Sequence, residues 1–500
     1  MSIEDKLQVN IVHVGDALAV LRTLPACCVD ALICDPPSSI GFMGKTWDSD
    51  KGGRTQWVAW LASIMAEALR VLKPGGHALV WALPRTSHWT TCALEDAGFE
   101  IRDKLYHLFA SGYPKSYNIA KGIEGVLTRG SANWTDWKYL SGERQKGENI
   151  AYGMTRSNAE TGNRPRTYVS TGAFELDATT EEAKRWEGWG TALKPAVEEW
   201  ILCRKPLTES SVARNVLEWG TGGLNIRAVR VGTEPRVNQG MSSLGVMHDD
   251  DWRPRAIASV VNGRWPAHLL ISHAAHCQPG QCVSGCPALK LDEQSGFSQS
   301  HEEKAQAKAP STRNVYGKDK KRSLVGHNDQ GGVSRYFTQF YYAPKASREE
   351  RNRGCEGLPE QQIARMGHGN DEPDGRTQSF ISQPQANIHP TVKNQQLMRW
   401  LCRLITPPHG IVLDCFAGSG STGVAAIAEG FQFIGIELDP EYAAVAHARI
   451  AHALKEAERE AGREKQLSMF DCELPKSASV LLALPGLWDD EETEESSSLM

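Results

Sequence analysis

The chain has 500 residues, of which 40% are hydrophobic and 23% charged, and its formal net charge is -5. A chain of this length predicts two or three domains with a sizeable core, and the composition excludes a fibrous or wholly disordered protein. No stretch approaches about 18 uninterrupted apolar residues and no signal-peptide pattern is present, so we expect a cytoplasmic protein without a membrane span. The twelve cysteines are scattered, which favours reduced thiols over a disulfide framework.

Residues 1–109 alternate between patterns typical of strands and of helices. Asp35-Pro36-Pro37-Ser38, the proline tract, directly follows an apolar run at 29–34. This alternation predicts one half of an α/β sheet. The predicted elements are strands at 8–14, 29–34, 77–83 and 99–109, and an amphipathic helix at 56–72 that ends at 73–76.

Residues 110–387 differ in character, because they are rich in Gly, Arg, Trp, Tyr and Ser and show weak periodicity. Two stretches, 194–206 and 265–271, have the apolar pattern of structured elements. We interpret the whole segment as an insert, of which the remainder becomes ordered on a partner.

Residues 388–456 return to an α/β pattern, and the charged tail at 457–500 is expected to be disordered. The segments 1–109 and 388–456 are each too short for a doubly wound sheet, so we predict that together they form one. The predicted elements of the second segment are helices at 392–405, 421–429 and 440–455, and strands at 411–414 and 431–437.

A second tract, Asp414-Cys415-Phe416-Ala417-Gly418-Ser419-Gly420, follows the strand at 411–414, and we call it the glycine turn. A strand, a glycine turn and a helix form a nucleotide-binding crevice at the carboxyl edge of a parallel sheet. Glycines there let the backbone approach a ligand. Glu437 ends the next predicted strand, where a carboxylate can accept hydrogen bonds from both ribose hydroxyls. The alternative is an ordinary tight turn.

The two tracts resemble the motifs of β-class DNA amino-methyltransferases, which use S-adenosylmethionine. The glycine turn is similar to the D-x-F-x-G-S-G turn of that family, and the proline tract is similar to its catalytic loop. The order, with the proline tract first, is also that of the β class. The resemblance covers the two outer segments. It implies a Rossmann-like methyltransferase sheet in circular order, with the catalytic half (1–109) first, the cofactor half (388–456) last, and a target-recognition insert (110–387) between them.

Two further segments resemble cofactor contacts of the same family. Residues 388–393, the HPT segment, are similar to H-P-T-x-K-P, although Asn394 replaces the last proline. Gly15-Asp16-Ala17-Leu18 is similar to G-D-x-L, whose aspartate contacts the adenine of the cofactor; for Asp16 a helix N-cap is the alternative. The resemblance implies a cofactor site formed by Asp16, Ala17, Asp35, His389, Thr391, Lys393, Asp414, Phe416, Gly418, Gly420, Ser421 and Glu437.

The proline tract has the groups that methylation of an exocyclic amine needs. Such an amine is a poor nucleophile because its lone pair is delocalised into the ring. The Asp35 carboxylate and the Pro36 carbonyl, directed by the rigid Pro36-Pro37 turn, can accept its two N–H groups. Transfer then relies on positioning, without a metal. Ser38 stands where the family usually has an aromatic residue that stacks on the base. The rings considered in its place are Phe42, Trp47 and Trp200.

An aspartate at the first position of the tract resembles the adenine-N6 enzymes, whereas cytosine-N4 enzymes more often have serine there. We predict methylation of adenine N6 in duplex DNA, with the base flipped out of the helix. Three alternatives stay open: cytosine-N4 methylation, methylation of RNA or of a protein glutamine, and a DNA-binding protein with a decayed pocket.

The resemblance also bears on partners. Related enzymes are often homodimers, so we expect a dimer. The insert has Arg, Lys, Asn and Gln residues suited to phosphate and base contacts, for example at 224–227, where a solvated turn is equally compatible.

Two short patterns suggest additional partners. His273, His276, Cys277, Cys282 and Cys286 could bind zinc, but the spacing lacks a C-x-x-C pair, and we favour reduced thiols in a loop. In the tail, residues Gln466 to Phe470 resemble the peptide by which bacterial DNA-acting proteins bind the replication sliding clamp; helix packing is the alternative.

Overall fold

A computed structural model describes residues 7–41, 46–109, 112, 116–130, 178–242, 255–274, 276–299, 329–341, 346–361 and 384–473. The strands are β1 (Ile11–Val14), β2 (Val29–Cys34), β3 (Leu72–Ala82), β4 (Glu100–Leu108), β5 (Val197–Arg204), β6 (Val231–Ser242), β7 (Arg255–Arg264), β8 (Leu269–Ser272), β9 (Ser298–Gln299), β10 (Gln330–Gly331), β11 (Thr338–Phe340), β12 (Ile411–Asp414) and β13 (Gln432–Glu437). The α-helices are α1 (Ala17–Thr23), α2 (Arg54–Val71), α3 (Ser87–Asp96), α4 (Ile119–Arg129), α5 (Glu181–Lys184), α6 (Val212–Trp219), α7 (Pro287–Ser295), α8 (Arg348–Asn352), α9 (Gln395–Ile405), α10 (Ser421–Ala428) and α11 (Pro440–Glu473).

Nine of the described strands form one sheet in the order β1-β13-β12-β2-β3-β5-β4-β8-β11. Neighbouring strands are parallel except at β5, which is antiparallel to both β3 and β4. The prediction of a mainly parallel α/β sheet is therefore confirmed. The strand before the proline tract, β2, lies beside β12, the strand before the glycine turn.

Helices cover both faces of this sheet, as the burial of every β2 residue requires. Successive β2 residues alternate between the two faces: Ala31 and Ile33 pack in the cluster with α9, α10 and α11, whereas Leu32 and Cys34 pack with α1, α2 and α3. All six residues of β2 are buried. The proline tract thus emerges from the centre of a three-layer core, which fixes its position.

The two outer segments share one sheet, as predicted, and three more of its strands, β5, β8 and β11, come from residues 110–387. β5 lies between β3 and β4, with Trp200 opposite Trp81 on one side and Leu105 on the other. The apolar run of β5 needs hydrogen-bonding partners on both edges, and the sequence pattern does not specify which strands supply them. The functional division at 109 and 387 stays a prediction.

The last helix differs from the prediction, because α11 continues to Glu473 instead of ending at 455. Predicted disorder is therefore wrong for 457–473, and 474–500 lie outside the described residues. The backbone of the clamp-like peptide at 466–470 lies within α11, but its side chains are outside the described part.

The strand β3 also differs from the prediction. It begins at Leu72, five residues before the predicted start, so the predicted turn at 73–76 is part of the strand. No helix in the described part of the chain is both long and apolar enough to cross a membrane.

Candidate active site

The carboxyl ends of four parallel strands bring the predicted site residues to one edge of the sheet. Val14 at the end of β1 pairs with Glu437 at the end of β13, and the Gly15 N–H donates to the Glu437 carbonyl at 2.9 Å. Asp414 ends β12, and Asp35 follows β2. Segments far apart in the chain therefore meet where α/β sheets bind ligands.

The glycine turn is tightly constrained by its surroundings. Gly418 and Gly420 have φ of +52° and +72°, a backbone region that favours glycine. A Cβ at Gly418 would lie 2.7 Å from Nε2 of His389. The Gly418 N–H donates to Oε2 of Glu437 at 2.7 Å, and the Asp439 N–H donates to Oε1 at 2.9 Å. Burial raises the pKa of Glu437. The turn is thus fixed against the HPT segment and the end of β13.

Asp414 fixes the start of the glycine turn through two hydrogen bonds. Its carboxylate accepts hydrogen bonds from the Phe416 N–H at 2.9 Å and from the Thr422 hydroxyl at 2.6 Å. Burial raises its pKa to about 7, although both hydrogen bonds act in the opposite direction. The ring of Phe416 packs 6.1 Å from that of Trp60. These contacts support the shape of the turn.

Arg449 on α11 is a buried support of the turn that the sequence analysis missed. Its Nη1 donates to the Ser419 carbonyl at 2.7 Å and lies 3.0 Å and 3.2 Å from the hydroxyl oxygens of Ser419 and Ser421. The residue is 2% exposed, and burial lowers its pKa to about 10. In the sequence, the one sign of this role is an arginine among the apolar positions of α11.

The HPT segment packs directly on the glycine turn. The His389 ring meets the Tyr442 ring edge-on, with centroids 4.6 Å apart, and its carbonyl accepts a hydrogen bond from Arg351. The Thr391 N–H donates to Nδ1 of His389 at 3.4 Å. Two residues later, Lys393 extends to the proline tract, so this segment connects both tracts.

Asp35 and Lys393 form an ion pair, with Oδ2 and Nζ 3.2 Å apart. Burial raises the pKa of Asp35 more than Lys393 lowers it. Burial alone would lower the pKa of Lys393, but the carboxylates of Asp35 and Glu198 outweigh it and raise the pKa. Nζ also lies 4.1 Å from the ring centroid of Trp81 and 5.8 Å from that of Trp200.

Asp48, which the sequence analysis also missed, anchors the end of the proline tract. Its buried carboxylate accepts hydrogen bonds from the Ser38 hydroxyl at 3.1 Å, from the Ser39 N–H at 2.9 Å and from the Ile40 N–H at 3.3 Å. Thr86 donates to the Ser38 carbonyl at 3.2 Å. The Ser38 side chain is therefore engaged in shaping the loop. A lone aspartate 13 positions after Asp35 gave no signal of this role.

The rings considered for stacking have different environments. Trp200 is fully buried, so it forms part of the wall and has no face open to a base. Trp47 is half-buried, and Phe42 lies outside the described residues. Trp81, missed in the sequence analysis, is half-buried at the end of β3 and lies beside Lys393.

Asp16 is the N-cap of α1, and its Oδ1 accepts a hydrogen bond from the Ala19 N–H at 3.0 Å. Its side chain is exposed, and Ala17 behind it is buried. Asp16 therefore acts as an N-cap, and its contact with the cofactor stays a prediction. The residue before it, Gly15, is the one that donates its N–H to the Glu437 carbonyl.

Comparison with known proteins places the glycine turn in a recognised domain. Residues 290–448 match the family model N6_N4_Mtase, described as a DNA methylase. The chain is 50% identical over 54 residues to the DNA adenine methyltransferase YhdJ of Escherichia coli (strain K12), which covers 11% of this chain and 18% of that protein. It is 48% identical over 63 residues to the putative methylase YubD of the same strain, covering 13% and 28%. The chain thus spans less than a third of the length of these relatives.

The chain also aligns with solved structures, among them PvuII DNA methyltransferase (cytosine-N4-specific), 12% identical, with a TM-score of 0.36 over 90% of this chain and 95% of that one. Another is TTHA0409, a putative DNA modification methylase from Thermus thermophilus, 13% identical, with a TM-score of 0.32 over 89% and 95%. Similarity at this level says nothing about the substrate. Over residues 290–448, the chain is thus similar to the DNA methylases that the N6_N4_Mtase family model describes.

Proposed function

We propose that this chain transfers a methyl group from S-adenosylmethionine to the N6 atom of an adenine in duplex DNA. The observation that carries the proposal is the position of the Asp35 carboxylate. It lies at the same sheet edge as the glycine turn and is paired at 3.2 Å with Lys393, which belongs to the segment packed on that turn. In this proposal, the carboxylate that accepts the amine and the turn that holds the cofactor lie at one edge of the sheet.

The residues at this edge fit S-adenosylmethionine. The turn presents bare backbone at Gly418, where a Cβ would intrude, and the Glu437 carboxylate has lone pairs left for ribose hydroxyls beside the backbone bonds it accepts. When bound, S-adenosylmethionine supplies an electrophilic methyl group on its sulfonium. The residues proposed to hold it are Asp16, Ala17, Asp35, His389, Thr391, Lys393, Phe416, Gly418, Gly420, Ser421 and Glu437, with Asp414 and Arg449 supporting the turn.

The proline tract supplies the groups that activate the amine. The Asp35 carboxylate and the Pro36 carbonyl accept the two amine protons as hydrogen bonds, which localises the lone pair on nitrogen. Lys393 favours the ionised form of Asp35 and fixes its orientation through a charge-assisted hydrogen bond. Pro37 and the Ser38–Asp48 hydrogen bond keep the tract rigid. The rate of methyl transfer then depends on excluding water and on positioning the amine against the methyl group.

Two observations favour adenine over cytosine. The tract begins with aspartate, as in the adenine enzymes that it resembles, and one similar curated protein is named a DNA adenine methyltransferase. Base flipping gives the amine access to the crevice, and Trp81 is the half-buried ring best placed beside Asp35 and Lys393 to contact the base. Dimerisation and clamp binding stay predictions from resemblance.

Transfer of labelled methyl groups to duplex DNA tests the proposal. The Asp35→Asn variant keeps the shape but lacks the charge, so we expect a loss of about 10²–10⁴-fold in the rate. Asp103→Asn, at an exposed position on β4, serves as the matched control and should retain full activity. Incorporation by Asp35→Asn equal to that of the control would contradict the role of Asp35, and no incorporation by the parent chain on varied DNA would contradict the reaction.

A further inference from the structure

A cluster of three cysteines and one histidine lies after β8, the strand next to the β11 edge of the sheet. His273 directly follows β8, Cys277 and Cys282 flank a turn, and Cys286 is the residue before α7. One ligand atom from each of the four lies within 4.8 Å of all the others. All are buried except Cys282, which is half-buried. The loop of reduced thiols favoured by the sequence is thus folded around a common centre.

The His273 ring is oriented by a chain of hydrogen bonds. Nε2 of Gln339 on β11 donates to the Ser334 carbonyl at 2.8 Å, which turns Oε1 of the same amide towards Nε2 of His273 at 2.7 Å. An N–H must therefore be on Nε2 of the imidazole, which leaves the lone pair on Nδ1. That Nδ1 lies 3.3 Å from Sγ of both Cys282 and Cys286.

The backbone that carries the sulfurs is held by its own hydrogen bonds. Gln278 and Gln281 exchange two backbone hydrogen bonds of 2.9 Å across a turn with Gly280 at φ +77°. The Val283 N–H at the end of this turn donates to Sγ of Cys277 at 3.4 Å, a contact that stabilises a thiolate. The ring of Tyr341 stacks on His273 with centroids 4.4 Å apart and covers the imidazole.

We propose that His273, Cys277, Cys282 and Cys286 bind one Zn²⁺ ion in a closed tetrahedral site. Zn–S bonds of about 2.3 Å and Zn–N bonds of about 2.0 Å place tetrahedral ligand atoms roughly 3.5–3.8 Å apart. Here Nδ1 of His273 lies 3.3 Å from two of the sulfurs, and all four ligand atoms lie within 4.8 Å of one another. The Gln339 contact to the second ring nitrogen is the partner that zinc-bound histidines have. Four protein ligands leave no open position, so the site is structural.

The site would compensate for a very small local core. The cluster that joins β8 to α7 has only Ile271, Cys277, Cys286 and Ala288 as buried members among the described residues. Metal binding contributes directly to folding where a core is this small. Zinc would therefore fix α7 and the 276–286 turn to β8 and β11, within the segment that we propose to recognise DNA. This inference stands independently of the methyltransferase reaction.

Metal analysis of the full chain, purified without a histidine tag under reducing conditions, tests the proposal. We expect about one zinc per chain in the parent, and less than about a fifth of that in Cys282→Ser and in Cys286→Ser. Cys92→Ser, a half-buried thiol on α3, is the matched control and should keep its zinc.

Cobalt substitution of the parent chain avoids reliance on variants that fail to fold. Co²⁺ in this site should give the intense visible bands of a tetrahedral thiolate complex, and one equivalent of Zn²⁺ should abolish them. Removal of zinc by a chelator should lower the melting temperature of the parent but not that of Cys282→Ser. A parent chain without zinc that also gives no tetrahedral cobalt spectrum would overturn the proposal, as would a disulfide between two of these cysteines in the reduced preparation.

Discussion

Single residues at the carboxyl edge of the sheet show how this site tolerates several carboxylates in a small volume. Asp35 is balanced by Lys393, whereas Asp414 has hydrogen bonds from Phe416 and Thr422 in place of a cation. Burial raises the pKa of both aspartates. Burial therefore disfavours the ionised form of each aspartate, and each leads to a prediction about pH dependence.

Replacement of Asp414 by Asn should flatten the pH dependence of stability. The pKa of Asp414 is raised from 3.8 to about 7 in the folded chain, so the folded state holds the proton more tightly than the unfolded state. Protonation of Asp414 therefore stabilises the folded chain. This stabilisation is fully present at a pH below the unfolded pKa and is lost as the pH rises through about 7. Urea unfolding at pH 5 and pH 8 should show the parent losing stability relative to Asp414→Asn. Parallel profiles for the two chains would contradict this account.

Replacement of Lys393 by Met should move the acidic limit of activity. Transfer needs the Asp35 carboxylate, whose pKa is already raised by burial, and loss of the ammonium raises it further. Activity should therefore fall at a higher pH in Lys393→Met than in the parent as the solution is acidified. The pH profile of kcat/KM measures this, and Lys393→Arg, which keeps the charge, should restore most of the parent profile. An unchanged acidic limb in Lys393→Met would contradict the role of the ion pair.

Among the elements, the glycine turn between β12 and α10 depends on close packing as well as on backbone freedom. Gly418 combines a positive φ with contact to His389, whereas Gly430, two residues after the end of α10, has a positive φ in open space. Substitutions at these two glycines can therefore distinguish the effect of close packing from the effect of a positive φ.

Gly418→Ala should weaken S-adenosylmethionine binding by at least about tenfold, because the new Cβ would lie 2.7 Å from His389 and displace the HPT segment. Gly430→Ala should cost roughly 1–2 kcal/mol of stability from its left-handed φ and leave binding unchanged. Calorimetric titration of both variants measures the difference. Equal affinities would show that close packing at the turn is not needed.

The sequence predicted the elements that have strong local signals and missed the contacts between distant segments. The strand at 29–34, the strand at 411–414 and the glycine turn all have apolar runs or glycines that act locally. Asp48 and Arg449 are single polar residues whose partners are fixed only by tertiary packing. The metal-ligand cluster was visible as residue types, but only the fold shows that His273 and the three thiols converge.

For the whole molecule, the sheet continues from the two outer segments, 1–109 and 388–456, into the predicted insert. β5 is hydrogen-bonded to both β3 and β4, and the salt bridge between Arg204 of β5 and Glu100 of β4 joins the same strands at 2.6 Å. β8 and β11 extend the sheet further. The segment that we expect to recognise DNA therefore shares one sheet with the strands that carry the proline tract and the glycine turn.

A chain in which 110–387 is replaced by a short linker should fail to fold. Its loss removes β5 and exposes the edges of β3 and β4, including the apolar surface that packs around Trp200. Soluble yield and circular dichroism measure the outcome, with the full chain as the reference. A soluble, cooperatively folding product would contradict this account and show that the outer segments form an independent domain.

Mass spectrometry of nucleosides from DNA treated with the chain and S-adenosylmethionine is the most direct test of the proposed reaction. The account predicts N6-methyladenine with the parent chain and none with Asp35→Ala. N4-methylcytosine in place of N6-methyladenine would contradict the base assignment while leaving the site intact. DNA without any methylated base, with a parent chain that binds the cofactor, would contradict the central claim.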